Sequence, residues 1–229
     1  MGEAGPRGQA AVTTAAADWP DVERLFGIRG EPSRCWCRFF ALTGAQWSAS
    51  TPEQRKAQLR DKFDGGGPAP GVLAFRGGNP VGWCAVEPGR CYPRILRSKV
   101  LTAAGPEVAA DPGRDQVWSV SCFVVSPGQR RTGVARALLA AAVGHAFVHG
   151  ADTVEGYPVD AAQRPKAGPA DLYHGTLGLF LAADFQVVSD TVPGRAVVRL
   201  TALRAGAAAP AVQRSPGPEP PTGPKAGSG

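Results

Sequence analysis

A chain of 229 residues with a formal charge of +6 and 43% hydrophobic residues has room to bury a core without disulfide staples, and that apolar content fits a globular protein. No run reaches the roughly 18 apolar residues of a membrane span, no apolar stretch follows basic residues at the N-terminus, and the five cysteines are irregularly spaced. These features exclude a disulfide framework and predict a cytoplasmic protein without membrane contact; dispersed Lys and Arg predict no nucleic acid partner.

Residues 1–17 are small, polar and aperiodic, and are expected to be a disordered tail before a domain spanning 18–202. Asp18 or Pro20 starts a short helix that stops at Gly27. Arg34–Phe40 is aromatic and β-favourable and predicts a first strand, placing Cys35 and Cys37 on one face as small buried hydrophobes, since no second pair completes a metal site. Thr51-Pro52 is an N-cap and first helical residue, with the helix running to about Phe63. Gly65 to Gly71 is a glycine-rich loop, but it lacks the Lys-Ser/Thr of a phosphate loop and leads into a strand.

Val72–Arg76 and Pro80–Glu87 read as a hairpin across Gly77-Gly78-Asn79. Tyr92–Lys99 is a basic turn or short helix near the site, and Leu101–Asp115, with Gly105-Pro106 and Asp111-Pro112-Gly113, is an exposed loop. Val117–Val125 is a hydrophobic strand, Ser126–Ala135 a basic glycine-bearing turn, and Arg136–Phe147 continues an apolar-faced helix. Thr153–Tyr157 is a strand, Pro158–Ala170 a loop and Thr176–Ala183 a helix. Phe185–Ser189 and Ala196–Leu200 form a closing hairpin around Pro193-Gly194. Residues 203–229 form a second disordered tail, rich in Ala, Pro and Gly. This order predicts an α/β fold with a mixed sheet.

The centre of the chain is the strand, turn and helix around residues 117–147. A turn feeding a helix N-terminus leaves N–H groups without intrahelical partners, at the positive end of the helix dipole, and three arginines reinforce it as a phosphate site. Arg130-Arg131-Thr132-Gly133-Val134-Ala135, followed by Ala137-Leu138-Leu139, resembles the Arg/Gln-x-x-Gly-x-Gly/Ala signature of the GNAT superfamily of N-acetyltransferases. Over residues 19–201 the flanking elements follow the same order. The resemblance implies a GNAT-like mixed sheet with helices on both faces and splayed central parallel strands. It implies acetyl-CoA as co-substrate, with no metal. Its pyrophosphate would lie on the amides of Arg131, Thr132, Gly133, Val134, Ala135 and Arg136, with added charge from Arg130 and Arg131. Its pantetheine would bond the backbone of Phe123, Val124 and Val125.

The resemblance also locates two departures. The family's usual base, a Glu early in the central strand, falls at Ser119; its usual acid, a Tyr in the last helix, falls at Phe180 when the family's Gly-Phe is set on Asp184-Phe185. Glu87 is the leading replacement base, with Asp115, Glu155 and His174 behind it, and Tyr173 is the leading replacement acid ahead of Tyr157. Cys122 has no visible activating base and reads as core, favouring direct transfer. The expected acceptor is a primary amine of a small molecule or amino acid. Alternatives are a protein N-terminal or lysine acetyltransferase, or a CoA-binding module without turnover. The sequence is compatible with a homodimer.

Overall fold

The structure, a computed structural model, describes residues 10–27, 30–109, 113–168 and 171–202. Its sheet has seven strands: β1 (Val12–Ala16), β2 (Gly71–Arg76), β3 (Asn79–Pro88), β4 (Val117–Val125), β5 (Thr153–Gly156), β6 (Gln186–Ser189) and β7 (Val197–Thr201). They lie in the order β1-β2-β3-β4-β5-β7-β6. Only β4 and β5 are parallel; the other neighbours are antiparallel. The hairpin of β2 and β3 turns at Gly77 and Gly78, whose φ values of 57° and 75° are what a tight two-residue turn demands.

Nine helices surround the sheet among the described residues: α1 (Trp19–Phe26), α2 (Glu31–Cys35), α3 (Gly44–Ala49), α4 (Pro52–Asp64), α5 (Pro93–Leu96), α6 (Lys99–Thr102), α7 (Pro106–Ala109), α8 (Val134–Val148) and α9 (Leu177–Leu181). Local chemistry explains their starts. Asp18 caps α1 by accepting from the Asp21 N–H at 3.0 Å. Thr51 and Gln54 form a reciprocal capping box on α4, with Pro52 in the first turn.

The period-two alternation of the strands divides the core. On one face Val72, Ala74, Cys84, Val86 and Val120 pack with Leu138, Leu139 and Ala142 of α8 and Phe180 of α9. On the other, Leu73, Trp83 and Ala85 meet Val22, Phe26, Trp36 and Leu59 from the N-terminal helices. Beside them, Tyr92, Ile95, Leu101 and Val108 of the β3–β4 connection pack on Tyr157 and Val197.

Three expectations are corrected. Residues 12–16, inside the expected disordered tail, form edge strand β1, paired with β2 through residue matches from Val12↔Arg76 to Ala16↔Val72. Four of its five side chains are exposed, so main-chain bonding holds it and no apolar pattern announces it. Residues 34–40 are not a strand. Glu31–Cys35 is helical, and Trp36 and Cys37 follow with positive φ (45° and 52°). The aromatics there serve separate partners: Trp36 meets Trp19 and Phe26, Phe39 meets Trp47, and Phe40 meets Tyr173 and His174. A flat strand cannot aim neighbouring residues in so many directions. Finally, residues 101–109 are not an exposed loop, because Leu101, Ala104 and Val108 are buried. Residues 1–9 and 203–229, the outer parts of the two expected tails, lie outside the described residues.

Candidate active site

Strand β4 is paired to β5 only through Val117–Val120, matched to Thr153–Gly156. Beyond that point the two strands part, and β4 keeps an open side along residues 121–125. Ser126 donates its N–H to Val81 O at 2.9 Å, which fixes the alternation: Val124 turns its main-chain groups toward β3, while Phe123 and Val125 turn theirs toward the gap.

The turn after β4 is held from outside. Thr132 Oγ1 donates to Gln129 O at 2.7 Å, and Arg76 Nη2 reaches both Thr132 O and Oγ1 at 3.2 Å. Gly133 adopts φ 86° as the N-cap of α8, a left-handed conformation that costs a residue with a side chain about 1–2 kcal/mol. The first helical bond runs from Ala137 N to Gly133 O at 3.0 Å. Among the described residues the N–H groups of 131–136 therefore have no acceptor. Arg130, Arg131 and Arg136 are exposed and form no ion pair among the described residues. Free amides, helix dipole and three arginines converge at one helix end, an arrangement that fits a pyrophosphate.

The α1–α7 face of the sheet carries the polar groups. Glu87 is buried at the end of β3, opposite Ser119, and accepts a 2.8 Å ion pair from Lys62. Ser119 Oγ lies 2.8 Å from the Tyr157 hydroxyl, which donates to Glu155 at 2.5 Å. Glu155 is inaccessible to solvent and also accepts from Arg114 Nη2 and Arg199 Nε, each at 2.8 Å. A carboxylate clamped by two guanidiniums and a phenol is a structural hub with no spare lone pair aimed at a substrate. Burial, with the Glu155 charge beside it, pushes the Tyr157 phenol well up.

Tyr173 is half-buried in a tight turn at Leu172–His174, its ring 5.6 Å from Phe40. Burial raises its phenol, and its hydroxyl makes no hydrogen bond with the described residues. His174, next to it, is buried with Nδ1 unpartnered. Burial first, and the charge of Arg195 second, bring its pKa down to about 3. Taking a proton from an alkylammonium of pKa near that of Lys, about 10, would cost such a base roughly 9 kcal/mol, so His174 is no general base. Cys122 is also unfit as a nucleophile: its half-buried thiol donates to Phe123 O at 3.8 Å, and the neighbouring Cys37 together with desolvation pushes it well up. Cys37 accepts from Trp83 Nε1 at 3.2 Å.

Phe180, at the position of the family's usual acid, is fully buried against Gly156, where an added Cβ would lie 2.3 Å from its ring. Asp184 has φ 63°, a left-handed conformation that suits the Gly usual at this position of the family. The turn residues and the open strand adjoin, but Val124, expected among the pantetheine contacts, spends its main-chain groups on β3 and is unavailable to a ligand in the gap. Glu87 and Tyr173 share the sheet face but stand in separate clusters, one beside Lys62 and one beside Phe40. Arg76, Lys62, Arg114 and Arg195 were not legible in the sequence, because each is distant in the chain from what it contacts.

Comparison with known proteins agrees with this geometry. The model of the acetyltransferase (GNAT) family matches residues 36–165, more than half of the chain. No curated protein matches the sequence. Among solved structures, an N-acetyltransferase from Staphylococcus aureus Mu50 superposes with a TM-score of 0.51 at 15% identity, covering 84% of this chain and 99% of that one. The aminoglycoside acetyltransferase AAC(6')-Ib, solved in complex with coenzyme A, gives a TM-score of 0.51 at 14% identity, with 86% and 99% coverage. At such identities the likeness is one of fold, while the family match carries the assignment. The chain belongs to the GNAT family and is an N-acetyltransferase that uses acetyl-CoA.

Proposed function

We propose that this enzyme acetylates a primary amine of a small molecule or amino acid by direct attack on the thioester. The observation that carries the reading is the open side of β4 running into the uncommitted amides of residues 131–136. Acetyl-CoA supplies an activated acetyl group and a thiolate that departs. Phe123 and Val125 offer main-chain groups to the pantetheine amides, as an added strand would receive them. The amides of Arg131, Thr132, Gly133, Val134, Ala135 and Arg136 hold the pyrophosphate, and Arg130 and Arg131 neutralise it.

Glu87 acts as the base. It lies one residue from the point where β4 and β5 part, is paired with Lys62 at 2.8 Å, and can receive the amine's proton through water. Tyr173 acts as the acid, its free hydroxyl donating to the departing thiolate. Residues 89–109 and 113–116 cover the sheet face over Ser119 and Glu155, which favours a small acceptor over a protein chain.

Two measurements test this. Calorimetric titration should show acetyl-CoA binding; no heat at millimolar ligand sinks the cofactor assignment. Thiol release with an amine panel should show turnover that falls about 100-fold or more in E87Q and less in Y173F. Unchanged kcat in E87Q would remove Glu87 from its role.

A further inference from the structure

Among the described residues Arg195 has no ion-pair partner. Its main chain is fixed by an antiparallel bridge to Val159, and its Nη2 donates to Tyr157 O at 3.1 Å, so the guanidinium is held in one orientation. Its Nε is sealed from solvent and has no acceptor. The nearest acid, Asp171, is already used: it accepts the Gly168 N–H at 2.9 Å and faces Arg164 at 3.7 Å. Burial, with Arg164 close by, destabilises the charge on Arg195. Leaving charge-assisted donors unmatched in this way is costly unless a ligand completes them.

The reachable face of this guanidinium lies on the acceptor side. Arg195 is an electrostatic neighbour of the Tyr173 hydroxyl and of His174, whose buried Nδ1 is likewise unpartnered. It lies in line with β7, on the opposite flank of β5 from the turn that follows β4, so it is not part of the pyrophosphate cradle. Nη1 and the second hydrogen of Nη2 make no hydrogen bond with the described residues, and together they match a carboxylate in two-point contact; a phosphate dianion would call for a second free cation, and Arg164 is engaged.

We propose that Arg195 binds a carboxylate of the acceptor, which makes the acceptor an amino acid and not a simple amine. This rests on the acetyltransfer reading above and specifies its substrate class.

The test uses the full chain saturated with CoA and pairs of probes that differ only by a carboxylate: L-alanine and ethylamine, L-phenylalanine and phenethylamine, with O-phosphoethanolamine as a phosphate arm. At least one amino acid should bind 10-fold or more tighter than its amine. Arg195→Met should abolish that preference while leaving the amine and acetyl-CoA affinities within about twofold, and Arg195→Lys should restore part of it. The assignment falls if no amino acid exceeds its amine by more than twofold, if O-phosphoethanolamine binds tightest, or if Arg195→Met weakens acetyl-CoA. Retained acetyl-CoA binding with no carboxylate preference overturns only this inference; absent acetyl-CoA binding overturns the proposed function itself.

Discussion

On the cofactor side of the molecule, every group assigned to CoA comes from one stretch, residues 123–136, and the fold adds only Arg76 from a neighbouring hairpin. On the acceptor side, Glu155 draws together Arg114 from the β3–β4 connection, Arg199 from β7 and Tyr157 beyond β5. The first site is a local motif whose backbone geometry does the binding. The second is an assembly that exists only when distant segments have packed. Damage to the first should spare the fold and remove the ligand; damage to the second should do the reverse.

The largest expected effect lies in the assembly. Glu155→Leu leaves two guanidiniums facing each other in a dry interior, and should cost about 3–5 kcal/mol of stability, read from urea unfolding. A loss below 1 kcal/mol would mean the hub is not what holds Arg114 and its neighbours down. Gly133→Val probes the local motif. Its added side chain meets no atom within 4 Å, so the cost is conformational, about 1–2 kcal/mol. Acetyl-CoA affinity should fall by about 100-fold as the amide cradle opens; retained affinity would break the contrast between the two regions.

A pH effect sharpens it further. His174 in the folded chain stays neutral down to pH about 3, whereas an unfolded histidine charges below about 6.5. Between those values the unfolded state binds the extra proton. The stability is therefore complete above the unfolded value and is lost as pH falls toward the folded one. From pH 7 to 5 this single group should remove about 2 kcal/mol, and His174→Phe should flatten that part of the profile. The smallest effect is at Asp184: Asp184→Gly relieves a left-handed residue and should raise stability by at most about 1 kcal/mol, visible as a small rise in Tm.

The same contrast explains what could be read without coordinates. The β4–turn–α8 unit and both hairpins declare themselves through contiguous patterns: Gly77-Gly78, Thr51-Pro52 and the spacing of Leu138, Leu139 and Ala142. Residues 34–40 misled because Trp36, Phe39 and Phe40 favour strands by propensity, yet each is claimed by a different cluster, and tertiary packing wins. Leu101, Ala104 and Val108 carried helical spacing that Gly105-Pro106 masked. Nothing local marks Arg195 or Arg114, whose roles depend on which segments the topology brings beside them.

Strand β1 has one more consequence. It covers the main-chain edge of β2, with Ala17 N continuing the pairing to Gly71 O at 3.1 Å. A shortened protein that began at Trp19 would keep all of its assigned chemistry, yet it would present β2 as a bare hydrogen-bonding ladder. Such an edge invites another chain to complete it. The Val12–Ala16 stretch thus replaces the buried, apolar edge of β2 with a short one whose side chains are mostly exposed.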